Sequence, residues 1–336
     1  MALTEEALEE LLSRPTAGVK AALGGLDGDV LVLGAGGKMG PTLARMARRA
    51  LPAGREVFAV SRYSSPAARE GLERHGVRTI PCDLLDRDAI ARLPDAANVV
   101  FMAGQKFGTS DAPGLTWMIN AVLPDVVAAR YAKSRIVVFS TGCVYALSTP
   151  ASGGSREEDP LAPPGEYAHS CIARERVFDY HARAHGTSML MFRLNYAIDL
   201  RYGVLHDIAT QVWRDEPFDV TTGHVNVIWQ GDANARALQS LAHVATPPEV
   251  LNVTGRETVS TRWLCEQFAA RFGKRPRVTG TEAATVWLAN ASKSLAWFGE
   301  PTMTLDEMIT MTADWVRAGG GSLGKPTHFE ARDGRF

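Results

Sequence analysis

Short, mostly apolar runs recur through the first two hundred residues, and a segment with helical spacing follows each one but the last. The first run is Val30-Leu31-Val32-Leu33; others fall at 57–60, 78–81, 98–102, 135–139 and 188–192. Helical segments start at Pro41 and cover 66–75, 86–93, 116–133 and 167–184. A strand without polar alternation is buried on both faces, and alternation of such strands with helices builds a parallel sheet covered on both sides. The expected fold class is α/β, a doubly wound parallel sheet with a smaller C-terminal α/β lobe. Four parts follow from this: an N-terminal helix and lead-in over 1–28, the main domain over 29–196, a lobe over 197–318 with strands returning to the main sheet, and a Gly-rich polar tail over 319–336. Within the lobe, 225–229 and 250–253 read as strands and 261–272 and 304–317 as helices. Asp232 reads as the N-cap of the helix after the first strand.

Composition removes several function classes. The 336 residues carry 36 basic and 37 acidic side chains, a net charge of -1, so no global field draws the chain to nucleic acid or an anionic membrane. No apolar run reaches the ~18 residues of a membrane helix, and the acidic start MALTEEALEELLSR is no secretory signal. A cytoplasmic location with no nucleic-acid or membrane partner is expected. The cysteines, Cys82, Cys143, Cys171 and Cys265, have neither zinc spacing nor the density of a disulfide framework, so no metal site is expected. Trp213, Trp229, Trp263, Trp287, Trp297 and Trp315 read as packing residues.

The first strand runs into Gly34-Ala35-Gly36-Gly37-Lys38-Met39-Gly40 and then a helix. Met39 breaks a strict GxGxxG, but Gly34, Gly37 and Gly40 fit GxxGxxG. Glycine there permits a tight turn, close approach of backbone to a diphosphate, and helix-on-strand packing. The helix N-terminus turns its N–H groups and positive dipole end to the phosphates. The strand–turn–helix context makes this a Rossmann-type dinucleotide site. At the end of strand 2 an NAD site usually carries an acid; this chain has Ser61-Arg62. A hydroxyl and a guanidinium suit a 2′-phosphate, so NADP is favoured over NAD. Asp83-Leu84, after strand 3, is placed for the adenine edge.

Over about residues 29–255 the chain resembles the extended short-chain dehydrogenases, the NAD(P)-dependent epimerase/dehydratase family. The glycine turn is one match. Met102-Ala103-Gly104-Gln105-Lys106 resembles the family's strand 4 end, which lines the cofactor, and Asn120 its helix 4 asparagine. Thr141, within Ser140-Thr141-Gly142-Cys143-Val144-Tyr145, falls where the family has its catalytic Ser or Thr; Tyr167 falls at its catalytic Tyr. Arg193-Leu194-Asn195-Tyr196 resembles the strand 6 end, with Leu194 toward the nicotinamide and Asn195 toward the substrate; 251–255 resembles a late strand. The resemblance implies dimerisation through the helices at 116–133 and 167–184.

Two departures shape the functional reading. The family's Tyr-x-x-x-Lys reads Tyr167-Ala168-His169-Ser170-Cys171. In the family, the lysine holds the nicotinamide ribose and lowers the tyrosine pKa from about 10; a cysteine supplies no fixed positive charge. Either Tyr167 acts as a neutral hydrogen-bonding acid, or another cation serves, with Lys106 the first candidate and Arg174 the second. In addition, the arginine that nucleotide-sugar members often carry seven residues before the helix-capping aspartate is here Val225. A free sugar, sugar acid or other small polyol is therefore favoured over a nucleotide sugar.

The expected activity is NAD(P)-dependent redox or epimerisation chemistry at a secondary alcohol or ketone of a carbohydrate-like substrate, with Thr141, Tyr167, Cys171 and Lys106 as the catalytic candidates. The alternative is a non-catalytic NADP(H)-binding sensor or scaffold, favoured only by the missing lysine. A third reading makes Cys171 a nucleophile at the helix start. The tail, with His328, Phe329, Arg332 and Phe336, reads as a disordered end or as a cover for the pocket or a partner.

Overall fold

The structure is a computed structural model that describes residues 3–106, 108, 111–325 and 327–335. Helices α1 (Glu5–Leu12) and α2 (Ala17–Gly25) lead in, capped by the hydroxyls of Thr4 and Thr16. Strands β1 (Val30–Leu33), β2 (Val57–Ser61), β3 (Arg78–Pro81), β4 (Asn98–Phe101), β5 (Arg135–Thr141) and β6 (Met189–Leu194) then alternate with helices. Strand Glu249–Val253 returns from the lobe to the sheet edge, giving seven parallel strands in the order 249–253, β6, β5, β4, β1, β2, β3. β1, third from the β3 edge, pairs with β2 and β4, and both of its faces are fully buried. In such a sheet, ligands bind outside the carboxyl ends of the strands.

Helix α3 (Gly40–Ala50) follows the glycine turn, with Pro41 in its first turn. Helices α4 (Pro66–Glu73) and α5 (Arg87–Ala91) follow β2 and β3. The helix expected over 116–133 is instead three joined pieces: α6 (Pro113–Trp117), a π turn over Met118–Val122, and α7 (Leu123–Arg130). Pro124 lacks an N–H to continue the ladder, which suits a change of winding there. Helix α8 (Glu166–His185) runs 20 residues between Gly165 and Gly186.

The lobe packs α9 (Val204–Trp213), α11 (Thr261–Phe272) and α13 (Leu305–Arg317) around Leu205, Ile208, Phe268 and Trp315, on which α1 also sits. Helices α10 (Gln230–Gln239) and α12 (Ser292–Phe298) bridge it to the main domain. Three expectations are corrected here. The run 225–229 is two short strands, His224–Val225 and Ile228–Trp229, with different partners. Asp232 does not cap α10, which starts at Gln230; its carboxylate accepts from Thr302 and Met303 instead. Trp263 is exposed, whereas Trp229, Trp287 and Trp315 are buried.

Of the two readings of the tail, the disordered end is set aside: the tail packs back on the molecule. Thr327 donates to Asp207, Phe329 is buried and stacks on Phe218, and Arg332 bonds Thr285. Phe336 lies outside the described residues. No helix of the described residues is long and apolar enough to cross a membrane.

Candidate active site

The glycine turn has the shape a diphosphate cradle needs. Gly34 has φ +88°, and a Cβ there would fall 2.6 Å from the Ala103 backbone N; one on Gly40 would fall 2.4 Å from the Ala35 carbonyl. These two glycines are forced by packing of the turn on β4 and on itself. A Cβ on Gly37 would come no nearer than 3.5 Å to anything, so that face of the turn is open. A cleft of about 620 Å³ runs along it from Gly34, Gly37, Lys38, Met39 and Gly40 past Met102, Gly104 and Lys106 to Phe139, Ser140 and Tyr167. Its volume and its position at the N-terminus of α3 fit a dinucleotide.

Around the expected adenine end the fit is partial. The Ser61 side chain lies against Gly36, at the turn. Arg62 is exposed and lines none of the cavities described. The Asp83 carboxylate accepts from the Leu85 N–H, a local turn, while Asp86 caps α5.

At the other end, Thr141 closes β5 and Tyr167 lies in the first turn of α8, where the two side chains hydrogen-bond. Burial lifts the Tyr167 phenol well above its ordinary value; Cys171 and Cys143 add to this, and Arg174 pulls the other way. Tyr167 is thus a protonated phenol at neutral pH. Cys171 is wholly buried, one turn along and in hydrogen-bonding contact with Tyr167; burial pushes its thiol up to about 11. It lies in the second turn of α8, and its burial disfavours the thiolate a nucleophile needs.

Arg174 stands seven residues after Tyr167, two turns on and on the same face. It reaches past the small Cys171 to donate to the Phe139 carbonyl (2.8 Å) and Asn120 Oδ1 (2.6 Å), and its Nε has no partner among the described residues. Asn120, in the π turn, also exchanges hydrogen bonds with the Gln105 backbone and donates to Ser170. It therefore ties the loop after β4 to α8.

Lys106 enters from that loop and donates to the Thr327 carbonyl; burial lowers its pKa. Lys106 and Lys38 border both the cleft and a second, smaller, half-open cavity of about 180 Å³. This cavity is walled by Thr141, Tyr167, Leu194, Asn195, Tyr196, Tyr202, Gln230 and Thr327. Tyr196 holds φ 43°, a left-handed conformation rare outside glycine. Lys38 Nζ sits 3.2 Å from the centre of the Tyr202 ring. Burial, with the charges of Lys106 and Lys325, takes Lys38 down to about 7.

Arg193, expected beside the site, is instead structural. It clamps Glu175 through two hydrogen bonds (2.9 and 2.7 Å) and donates to the Tyr145 hydroxyl; Ser140 donates to the same carboxylate. Tyr202, Gln230, Lys325 and Thr327 border the site without having been singled out, and His328, named as part of a possible pocket cover, borders it too. They come from distant segments with no local motif, and only the tail's aromatic and basic content hinted at the last three.

The tail is the outer wall of both cavities. Lys325 and His328 face the cleft and Thr327 the smaller cavity. Gly334 then meets Gly165, just before Tyr167: a Cβ on either would lie under 3 Å from the other's backbone.

Residues 30–198 match the model of the NAD dependent epimerase/dehydratase family. The chain belongs to that family, whose members are enzymes working with a nicotinamide dinucleotide. Among solved structures it is similar to epimerase Mth375 of Methanothermobacter thermautotrophicus (16% identity, TM-score 0.74, covering 91% of this chain and 97% of that one). It is also similar to UDP-glucose 4-epimerase of Thermotoga maritima, solved with UDP-glucose (18%, 0.72, 87% and 99%). A third is UDP-glucose 4-epimerase of Thermus thermophilus in complex with NAD (21%, 0.70, 86% and 99%). At these identities the likeness speaks to the fold. No curated protein matches the chain in sequence.

Proposed function

We propose that the protein is a cytoplasmic oxidoreductase or epimerase that uses NADP, or NAD, on a secondary alcohol or ketone of a small carbohydrate-like substrate. The observation that carries this reading is the hydrogen-bonded Thr141–Tyr167 pair where the cleft along the glycine turn meets a second, smaller cavity. The glycine turn with Lys38 and Met39 would hold the diphosphate, and Met102 to Lys106, Tyr167 and Leu194 the nicotinamide end. When bound, the nicotinamide supplies two-electron redox chemistry. Thr141 orients the substrate oxygen. Tyr167 as the phenol donates its proton to that oxygen in the reducing direction, and as the phenolate receives one in the oxidising direction. The absence of an acid after β2 favours NADP.

Arg174 supports Tyr167 better than Lys106 does. A guanidinium stays charged when buried, whereas burial lowers the pKa of Lys106. A nucleotide sugar fits poorly: Val225 is buried in the lobe core, and the cavity is below the roughly 300–1,000 Å³ of ordinary ligand sites. A free sugar, sugar acid or small polyol suits it. A homodimer through the α6–α8 face is supported by exposed Leu115, Trp117, Met118 and Tyr180.

Calorimetry with NADPH and NADH, followed by turnover on a panel of sugars and sugar acids, tests the reading. Affinity with turnover that Tyr167→Phe abolishes supports it; no affinity for either dinucleotide refutes it. The raised Tyr167 pKa favours a second reading, a dinucleotide sensor. Affinity without turnover on the whole panel would select that.

A further inference from the structure

Two anchors fix the tail, and the side chain between them turns the other way. Thr327 donates twice to Asp207, and its carbonyl accepts from Lys106 in the loop after β4. Two residues on, Phe329 is buried and stacks on Phe218 of the lobe. His328, between them, holds φ 51°, left-handed backbone that a residue other than glycine rarely adopts. It borders the cleft, whereas its two neighbours are buried. Backbone held in a sparsely populated conformation by its surroundings is concentrated at ligand clamps and switch segments. Gly324 and Lys325, ahead of the anchors, border the same cleft.

The cleft is therefore a slot with the glycine turn along one side and the tail along another. Gly34, Gly37, Lys38, Met39 and Gly40 stand on the turn side, with the N-terminus of α3. A diphosphate there meets N–H groups and a positive dipole end. Lys325 lies near enough to the turn for its charge to act on Lys38. It is exposed at the mouth of the slot, so its ammonium loses little hydration in reaching an anion inside. Asp207 and Glu330 act on the lysines here as well, and the Glu330 carboxylate lies 3.6 Å from His328 Nδ1. The tail side of the slot thus carries charge of both signs, with Lys325 the cation toward the turn.

We propose that the tail is part of the dinucleotide site: Lys325 pairs with the diphosphate from the side away from α3, and Gly324 and His328 complete the wall over it. This rests on the proposed dinucleotide reading and adds to it a wall supplied by the last residues of the chain.

Hydrogen-exchange mass spectrometry of the full chain, with and without saturating NADPH, reads the wall. Exchange over 324–335 should slow by about fivefold or more on binding. Calorimetry of variants reads the cation. Lys325→Met should weaken NADPH by about fivefold or more, and Lys325→Arg should stay within about twofold of wild type. ADP-ribose, which has the diphosphate and no 2′-phosphate, should lose affinity in Lys325→Met by the same factor. A loss confined to NADPH would put Lys325 at the 2′-phosphate and overturn the assignment. So would a loss that arginine does not rescue, which would mark a residue that only packs the tail. NADPH binding without tail protection, or undiminished in Lys325→Met, overturns the proposal and leaves the cofactor reading standing. Failure of the wild type to bind either dinucleotide refutes that reading, and the wall falls with it.

Discussion

Asp207 holds Thr327 twice, accepting from its backbone N–H at 3.0 Å and from its hydroxyl at 2.6 Å. This pair pins the tail where it crosses from the cleft along the glycine turn to the smaller cavity. Hydrogen bonds to a charged group are worth about 1.5–3 kcal/mol. Asp207→Asn should therefore speed amide exchange over 324–335 by about ten- to a hundredfold, read by hydrogen-exchange mass spectrometry. Unchanged exchange would mean that Phe329 alone anchors the segment.

Glu175 is the hub joining β5, α8 and β6. Removing one member of a buried pair leaves the other charge uncompensated, at about 3–5 kcal/mol. Glu175→Ala should lower unfolding free energy by that amount. Replacing Glu175 and Arg193 together with methionines should recover much of the loss. Denaturant unfolding of the three proteins decides this.

Tyr167→Phe should lower turnover by about 10²–10⁴-fold, the usual worth of a positioned acid or base. Arg174→Met should act differently. Removing a positive charge raises the phenol pKa, so the acidic limb of the oxidation-direction profile should move to higher pH, while Arg174→Lys restores part of the shift. A uniform drop in rate with no movement of the limb would show that Arg174 only shapes the site.

The ligand-free protein should grow more stable as pH rises from about 7 toward 10.5. Lys38 titrates near 7 in the fold and near 10.5 when unfolded. Between these values the unfolded chain binds the extra proton, and stability rises with pH. Below 7 the fold carries the full cost of the buried charge. Lys38→Met should therefore raise Tm more at pH 6 than at pH 9.5; an equal gain at both would contradict the assignment.

Much of this architecture is local in origin and could be read from the chain. The runs at 30–33 and 135–139 lack polar alternation because both sheet faces are covered, and Gly34 and Gly40 are fixed by contacts within a few residues or across one strand. Thr141 and Tyr167 were found through their resemblance to a known pattern. What escaped reading is non-local. Asp232 resembled a cap because an acid before a helix usually is one, but Thr302 and Met303 claim it. Val225–Trp229 looked like one strand because every position but Asn226 is apolar, yet its two ends pair with different partners. The tail lacks periodicity, and its order depends on Asp207, Phe218 and Gly165, over a hundred positions away.

Gly165 and Gly334 each occupy the space where the other's side chain would be, at φ +87° and +76°. Exchanging either for alanine creates a collision that changing the second cannot cure, because the obstruction is main chain on both sides. In a functional selection on randomised variants, both codons should return unaltered although neither glycine lines either cavity. Such invariance would mark a seam that holds the cover against the Tyr167 helix, and would be misread if taken as a sign of chemistry.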